Sequence, residues 1–221
     1  MSARSQDRRD RDPRVIRTRA AAKEAARTLF LRQGYAGTTM DEIADAAGLA
    51  KRSLYNHYAD KEALFREIIA DVGTYADEFA RGVRDELAGA GTAAGVRSAL
   101  DALGQRLALG IVRGDVVAVR RLLIGEARTF PALARRYFDR APGRVMTVLA
   151  EEFERIADAG LLRVSDPACA AGQFAYLVAG QALDRAVLVG RVPPKSEIVA
   201  AAREGVKTFL ARYGLRGDAT A

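Results

Sequence analysis

Four polar side chains near residue 50 have the chemistry that is needed to read a nucleic acid. Lys51, Arg52, Tyr55 and Asn56 occur at spacings of one, three and four residues, which places them on one face of a helix with Leu54 on the opposite face. Arginine pairs with guanine, asparagine pairs with adenine, and tyrosine can contact a thymine methyl group or a phosphate. The face is either a surface for the DNA major groove or a solvated polar surface, and its spacing alone leaves both interpretations open.

Two short helices and the turn between them must position this face. Thr39 and Glu42 form a capping box that starts the first helix, and Gly48-Leu49-Ala50 forms the turn into the second. They predict a helix-turn-helix unit at residues 39–58, braced by a helix on each side. The predicted helices of this part cover approximately residues 15–34, 40–48, 51–57 and 60–89.

The rest of the sequence is also helical. Strand patterns are almost absent, and Pro142-Gly143 predicts that one long helical pattern is kinked or split. We expect an all-α fold of about nine helices, in which a three-helix DNA-binding domain precedes a larger helical domain. The later patterns cover residues 96–112, 115–128, 131–158, 167–190 and 195–213. The expected domains are a basic flexible tail (1–15), the helix-turn-helix domain (16–76) and a C-terminal domain for effector binding and dimerisation (77–221).

Composition and charge narrow the possible classes of function. The chain has 221 residues, of which 49% are hydrophobic and 29% charged, as is typical of globular proteins. It has no apolar run long enough for a membrane helix and no secretory signal, so we expect a cytoplasmic protein that does not bind membranes. The net charge of +7 includes 30 arginines and five lysines, with excess positive charge at residues 1–19 and 120–144. Either the codon usage of a GC-rich genome or phosphate binding explains this excess.

The residues that commonly carry catalysis or bind metals are too few for an active site. His57 is the only histidine and Cys169 the only cysteine, so we expect no metal site, no cofactor and no enzymatic activity. His57 suits a structural or phosphate-contacting role, and Cys169 suits a small core residue better than an activated thiol. The run Glu151-Glu152-x-Glu154 suits a solvated helix face better than a pair of catalytic carboxylates.

Residues 16–76 resemble the DNA-binding domain of the TetR family of transcriptional regulators. The matching positions keep the family's order and spacing over about the first third of the chain. They are Ala25, Ala26, Leu29, Phe30, Gly34, Tyr35, Thr38, Thr39, Met40, Ile43, Ala44, Ala47, Gly48, Leu49, Ser53, Leu54, Tyr55, His57, Tyr58, Lys61, Glu62 and Leu64. The other two thirds resemble the family only as helices of suitable number and length. The resemblance implies a regulator that binds double-stranded operator DNA.

The resemblance also implies a set of DNA contacts. They are Thr39, Lys51, Arg52, Ser53, Tyr55, Asn56, His57 and Lys61. Thr39 is expected to bind a phosphate through its hydroxyl and amide, and Lys61 is expected to grip a phosphate with its ammonium group. Ser53, Tyr55 and His57 are expected to contact phosphate or sugar, and the remaining three are candidates for contacts with base edges.

Two positions depart from the family pattern. Ala50 stands where a serine is usual, so the recognition helix lacks a side-chain cap that is worth about 1 kcal/mol. Arg52 stands where glycine is common, which places an additional charge in the groove. Operator sequences of other family members therefore cannot be transferred to this chain.

A single recognition helix reads only a few base pairs, so we expect a two-fold dimer on a palindromic operator. The last two helices are the candidates for the dimer interface, because family members commonly pair through a four-helix interface there. Their apolar stripes also fit a core position. The stripes comprise Phe174, Leu177, Val178, Gln181, Arg185 and Leu188 on the first helix, and Ile198, Ala202, Val206, Phe209 and Tyr213 on the second.

The helices between these two parts are expected to hold a small-molecule effector, as in related regulators. The candidate pocket residues are Tyr75, Phe79, Leu103, Leu107, Leu123, Phe138, Met146, Phe153 and Tyr176, each of which also fits an ordinary core position. The arginine-rich segment 120–144 indicates either an acidic or phosphorylated effector or a solvated arginine face near the DNA-binding domain. The leading hypothesis is a homodimeric repressor that an unidentified effector releases from DNA. The alternatives are a DNA-binding protein without an effector and an enzyme or carrier built on a helical bundle.

Overall fold

A computed structural model describes residues 12–215, apart from the side chains of residues 72–74. These residues form ten α-helices and no strand, which confirms the prediction of an all-α fold. The helices are α1 (Pro13–Gln33), α2 (Met40–Ala46), α3 (Lys51–Tyr55), α4 (Lys61–Ala88), α5 (Ala93–Ile111), α6 (Gly114–Glu126), α7 (Pro131–Arg140), α8 (Pro142–Asp158), α9 (Pro167–Asp184) and α10 (Lys195–Tyr213).

The first helix begins earlier than the sequence pattern predicted. Asp12 accepts a hydrogen bond from the amide of Arg14 at 2.8 Å, and Pro13 takes the first helical position, where its missing N–H is not needed. The last residues of the predicted flexible tail are therefore helical. The rest of that tail, residues 1–11, lies outside the described part of the chain.

The split between α7 and α8 follows from the Pro-Gly pair. Pro142 has no N–H to continue the preceding helix and opens α8 instead. A Cβ atom on Gly143 would lie 2.9 Å from the carbonyl oxygen of Phe138, so this close approach requires glycine. The predicted split is confirmed, and it raises the helix count from nine to ten.

The chain divides into two compact units. The first contains the described residues up to Asp71 together with Arg121–Ala134, and the second contains Val72–Arg120 together with the described residues from Arg135 onwards. The division falls inside α4, close to the predicted boundary after residue 76. The inclusion of a later segment in the first unit was not expected from the linear sequence.

An aromatic cluster explains why that later segment belongs to the first unit. Phe30, Tyr35 and Phe65 pack against one another with ring centroids 5.1 to 5.5 Å apart. Phe130 closes the cluster at 4.9 Å from Tyr35 and 5.3 Å from Phe65. Contacts between aromatic rings of this kind stabilise a small core beyond the area that they bury.

The second unit has a core of its own, centred on α8, α9 and α10. Phe153, Phe174 and Phe209, one from each helix, are fully buried and lie 5.1 to 5.6 Å apart. Helices α9 and α10 cross closely, because a Cβ atom on Gly205 would lie only 2.5 Å from the carbonyl oxygen of Leu177. The small residue at this position lets the two helix backbones approach each other.

A single π-helical turn follows α9 directly. It covers Arg185–Val189 and ends at Gly190, whose φ of 72° lies in the left-handed region that favours glycine. Within this turn Ala186 is buried, whereas Leu188 and Val189 are 78% and 72% exposed. The turn therefore presents two large apolar side chains to solvent.

Candidate nucleic-acid interface and ligand cavity

The turn between α2 and α3 depends on Gly48. Its φ of 64° lies in the left-handed region, which side chains other than glycine rarely adopt. The Gly48 amide donates to the carbonyl of Asp45 at 3.1 Å, and the Leu49 amide donates to the carbonyl of Ala44 at 2.9 Å. These bonds end α2 and fix the direction in which the chain enters α3.

The predicted capping box is present at the start of α2. The Thr39 hydroxyl accepts from the amide of Glu42 at 3.2 Å, and the Glu42 carboxylate accepts from the amide and the hydroxyl of Thr39 at 2.8 and 2.9 Å. These hydrogen bonds lower the pKa of Glu42. The Thr39 groups that were expected to bind a phosphate are therefore already bonded within the protein, and a phosphate would have to share or replace Glu42.

Helix α3 presents the polar face that the sequence predicted. Leu54 is completely buried and anchors the inner side of the helix. Arg52, Tyr55 and Asn56 are exposed on the other side, with Tyr55 50% exposed. The helix ends at Tyr55 rather than at residue 57, and Asn56 forms its C-cap. This face is accessible to a DNA groove.

The other residues of this region that were predicted to contact DNA are less accessible or already have a partner. Ser53 and His57 are partly exposed. Lys51 is exposed, but its ammonium group forms an ion pair with Asp41 of α2 at 2.7 Å. This hydrogen bond and the charge of Asp41 raise the pKa of Lys51. The N-cap residue Ala50 makes no side-chain hydrogen bond, as the sequence predicted.

Lys61 has a structural role in the first unit. Its ammonium group donates to the carbonyl oxygens of Tyr35 and Thr38 at 2.6 and 2.7 Å, and it lies 4.3 Å from the centre of the Tyr35 ring. Because Lys61 starts α4, these contacts hold the loop between α1 and α2 against α4. The phosphate contact of Lys61 remains a prediction. A phosphate would have to bind an ammonium group that already donates hydrogen bonds to two carbonyl oxygens.

An ion-pair network joins α1 to α4. Glu67 accepts from Arg19 at 2.6 Å and lies 3.3 Å from Lys23, which also pairs with Asp71 at 2.7 Å. Burial acts to raise the pKa of Glu67, but the hydrogen bond from Arg19 and the two cations outweigh it and lower the pKa. Burial also raises the pKa of Tyr58 to about 12. This network holds the two outer helices that brace the helix-turn-helix.

A cavity of about 340 Å³ lies in the second unit, at the lower end of the range for small-molecule sites, about 300–1,000 Å³. Its walls combine apolar and aromatic side chains with three arginines. It is lined by Tyr75, Ala76, Glu78, Phe79, Arg106, Leu107, Gly110, Ile111, Arg113, Val116, Arg120, Tyr137, Ala141, Pro142, Val145, Met146 and Ala175. Two of the arginines lie over aromatic rings of the wall, Arg106 over Phe79 and Arg113 over Tyr75. In both pairs the guanidinium carbon Cζ is 4.3 Å from the centre of the ring.

Four of the nine predicted pocket residues line this cavity: Tyr75, Phe79, Leu107 and Met146. The other five do not. Leu103 and Phe153 are buried in the core, Phe138 and Tyr176 are exposed, and Leu123 is buried in the first unit. Apolar type and helical spacing identify a buried or an exposed stripe, but they do not show which stripe faces an open space.

No local sequence pattern singles out the polar residues of the cavity wall. Arg106 and Tyr137 stand in helical patterns and Arg113 in the break between two patterns, and none of the three gave a special signal. Arg120 and Tyr137 belong to the arginine-rich segment 120–144, for which an acidic or phosphorylated effector was one interpretation and a solvated face the other. The excess of arginine in segment 120–144 was thus the sequence feature that could indicate a binding site. The sequence does not show which of these side chains line a cavity.

The stripes predicted for the dimer interface face inward for the most part. All five stripe residues of α10 are buried, as are Phe174 and Val178 of α9, so this part of the prediction is wrong. They are buried because they pack between the helices of a single protomer. Leu177, Gln181, Arg185 and Leu188 are exposed, and they remain candidates for an interface together with Tyr176, which is 67% exposed.

Two further expectations about side chains need correction. Cys169 is exposed rather than buried; it lies in the first turn of α9, where its amide donates to the Asp166 cap at 2.9 Å. Glu152 is buried and pairs with Arg155 at 2.9 Å, whereas Glu151 and Glu154 are exposed. The acidic run is therefore not a uniformly solvated face.

Within residues 12–215, no group of three or more His, Cys, Asp and Glu side chains is placed to hold a metal ion. Among the helices of this range, none is long and apolar enough to cross a membrane.

Comparisons with known proteins match both parts of the chain. Residues 24–68 match the family of bacterial regulatory proteins named after TetR, and residues 98–215 match the C-terminal domain of AefR-like transcriptional repressors. The second match alone covers more than half of the 221 residues.

Individual proteins that resemble this chain are also transcriptional regulators. The biofilm-operon negative transcriptional regulator IcaR of Staphylococcus epidermidis is 41% identical over 52 residues, which are 24% of this chain and 28% of IcaR. The curated relatives are thus matched over only about a quarter of their length. A solved structure from Mesorhizobium loti, assigned to the TetR-family regulators, is 28% identical with a TM-score of 0.77, over 90% of this chain and 98% of that one. The flavonoid-responsive regulator FrrA is 31% identical with a TM-score of 0.65, over 91% and 99%.

Proposed function

This chain belongs to the TetR family of transcriptional regulators, and on that basis we propose that it is a homodimeric repressor that a small molecule releases from its operator. Members of the family are DNA-binding transcription factors rather than enzymes. The observation that carries the proposal is the exposed face of α3, where Arg52, Tyr55 and Asn56 project beyond the Gly48 turn. Such a protein acts on the chromosome, in the bacterial cytoplasm.

The proposed mode of DNA binding places α3 in the major groove. Arg52 is the main candidate for a bidentate contact with guanine, and Asn56 is the candidate for adenine. Tyr55 contacts a thymine methyl group or a phosphate. Thr39 and Lys61 are proposed as phosphate contacts at the edges of the unit, in addition to the internal hydrogen bonds that they make.

The proposed dimer supplies a second recognition helix. Exposed apolar side chains of α9 and of the following π-helical turn support an interface that involves these two segments. They are Tyr176, Leu177, Leu188 and Val189. A two-fold dimer reads two half-sites separated by about one helical turn of DNA or a multiple of it, so the operator is proposed to be palindromic.

The proposed effector site is the cavity of the second unit, where Tyr75, Phe79, Leu107 and Met146 supply apolar surface. An effector releases DNA only if it binds more tightly to the state that does not bind the operator, and coupling of this kind is typically about 1–3 kcal/mol. FrrA, a relative of similar fold, is described as responsive to flavonoids. This supports a small-molecule effector for the present chain without identifying it.

A binding titration tests the proposal. Purified protein is titrated onto the intergenic DNA beside its own gene and onto a scrambled duplex of equal length, and the number of chains per duplex is measured. We expect about a hundredfold or greater preference for the native fragment, with chains bound in pairs. Weak, salt-sensitive binding to both duplexes would contradict specific recognition of this fragment, and no binding to either would contradict the regulator itself.

The second candidate function is a DNA-binding regulator without an effector. It shares the α3 face and the dimer, and it differs only in the use of the cavity. A regulator of this kind would keep its operator affinity in the presence of every ligand that enters the cavity.

A further inference from the structure

The cavity wall carries buried polar groups that have no hydrogen-bond partner within the described residues. They are the Tyr137 hydroxyl, Nε of Arg120 and Nη2 of Arg106. Most buried polar groups in proteins are hydrogen-bonded, and leaving one without a partner is costly. All three side chains line the cavity, so a ligand there can supply the missing acceptors.

The three arginines of the wall differ in how their charges are balanced. Nε of Arg106 lies 3.0 Å from a carboxylate oxygen of Glu86, and Arg113 pairs with Asp115 at 3.0 Å. Arg120 has no carboxylate partner in the part of the chain that the structure describes. The remaining acidic residue of the wall, Glu78, is exposed, so water screens its charge. The cavity therefore retains about one positive charge that nothing in its wall neutralises.

The unbalanced arginine lies next to the Tyr137 hydroxyl. Both side chains line the same cavity. Burial raises the pKa of Tyr137, and the charge of Arg120 together with a hydrogen-bonding interaction with its guanidinium acts against that increase. The phenol therefore stays protonated at neutral pH and can donate a hydrogen bond. A guanidinium and a phenol side by side form a pair of donors for a single oxyanion.

The rest of the wall is suited to an apolar ligand body. Phe79, Leu107, Val145 and Met146 line the same space as the two donors. Arg106 is already engaged within the protein: it lies over the Phe79 ring, packs against Gly82 and pairs with Glu86. The cavity thus has apolar walls and a single anion-binding position.

We propose that this cavity binds a monoanionic organic acid, whose acidic group sits between Arg120 and Tyr137 and whose apolar body lies against the aromatic and aliphatic wall. The inference rests on the proposed function only in treating this cavity as the effector site. A dianionic phosphate ester fits less well, because two of the three arginines already have carboxylate partners. A neutral apolar ligand would leave the buried donors without acceptors.

Two fluorescent dyes that share one ring system test the charge preference. One is 8-anilinonaphthalene-1-sulfonate, which carries one negative charge, and the other is N-phenyl-1-naphthylamine, which lacks the sulfonate. We expect the wild-type protein to bind one sulfonated dye per protomer about tenfold or more tightly than the neutral dye, as charge-assisted hydrogen bonds imply. Equal affinity for both dyes would overturn the proposal.

Variants assign the preference to the two donors. Arg120→Met removes the charge and should weaken binding of the sulfonated dye about tenfold or more, while binding of the neutral dye changes less than about twofold. Tyr137→Phe removes only the hydroxyl and should have a smaller effect in the same direction. Arg136→Met, an exposed arginine outside the cavity, is the matched control and should bind both dyes as the wild type does. If the Arg120 and Tyr137 variants also bind both dyes as the wild type does, the proposal is wrong.

Thermal unfolding of each variant establishes that it is folded, and Tyr137→Phe keeps the test valid if Arg120→Met unfolds. The same preparations are titrated with operator DNA in the presence and absence of the sulfonated dye. Dye selectivity without any effect on DNA binding would contradict the proposed effector role, and it would leave the ligand class established. A wild-type protein that binds its operator but does not distinguish the two dyes would overturn the ligand class alone.

Discussion

Lys61 offers a direct test of how the helix-turn-helix unit is held together. Replacing it with methionine keeps a long unbranched side chain beside the Tyr35 ring and removes the ammonium group. That group donates hydrogen bonds of 2.6 and 2.7 Å to the carbonyls of Tyr35 and Thr38. The substitution therefore leaves two carbonyl oxygens without their charged donor.

The expected loss of stability follows from these contacts. A hydrogen bond to a charged group contributes about 1.5–3 kcal/mol, and a cation over an aromatic ring adds about 0.5–1 kcal/mol at an exposed site. Because Lys61 is partly exposed, water can replace some of these contacts. We expect Lys61→Met to lower the free energy of unfolding by about 2 kcal/mol.

Urea unfolding measures this loss, and Lys51→Met provides the control. The Lys51 ion pair with Asp41 joins side chains that are 58% and 55% exposed, so its removal should leave the free energy of unfolding essentially unchanged. An Lys61→Met variant as stable as the wild type would refute the structural role of Lys61.

DNA titrations over a range of salt concentrations test the second proposed role of Lys61. If its ammonium group also contacts a phosphate, the folded variant should show a salt dependence of log K that is lower by about 0.9. A variant with reduced stability and an unchanged salt slope would restrict Lys61 to its contacts within the protein.

Three further substitutions test other parts of the first unit. Arg52→Ala should cost about 1–3 kcal/mol at one base pair and reduce discrimination between operator and random DNA; an equal loss on both duplexes would exclude a base contact. Ala50→Ser should raise the free energy of unfolding by about 1 kcal/mol by capping α3, whereas Ala46→Ser, at the C-terminal end of α2, should not stabilise the protein. Because the folded-state pKa of Glu67 is lowered from 4.5, the ionised carboxylate stabilises the fold above about pH 4.5, and this contribution is lost as the pH falls through the folded value. The Glu67→Gln variant should therefore have a lower free energy of unfolding than the wild type at neutral pH, and it should lose less of it on acidification. If the free energies of unfolding of the two proteins changed in parallel with pH, the role of the Arg19–Glu67 pair would be contradicted.

The helix-turn-helix could be predicted closely because its signals are local. Capping of α2 by Thr39 and Glu42, the glycine turn at Gly48 and the inward position of Leu54 each depend on residues within a few positions of one another. The missing cap at Ala50 and the split at Pro142 follow from the chemistry of a single side chain. All of these features are present in the structure.

Features that depend on distant partners could not be predicted in the same way. Phe130 contacts the rings of Tyr35 and Phe65, which lie far earlier in the chain, and no local pattern indicates that contact. Phe209 and Leu177 belong to similar apolar stripes, yet one is buried and the other exposed. Their difference depends on which helices pack against each face. The sequence also does not show which acceptor Lys61 contacts, because a carbonyl oxygen and a phosphate oxygen both accept hydrogen bonds from an ammonium group.

The π-helical turn at Arg185–Val189 has a consequence for comparing related chains. A π turn contains one residue more than the α-helical turn that it replaces, so it is the structural trace of a single inserted residue. A homologue that is one residue shorter here is expected to continue α9 as a regular α-helix up to the glycine. Its side chains would be rotated by about 100° relative to those at 188 and 189. A one-residue gap at this position in an alignment therefore marks a change in which side chains the helix end presents, while α9 and α10 themselves are retained.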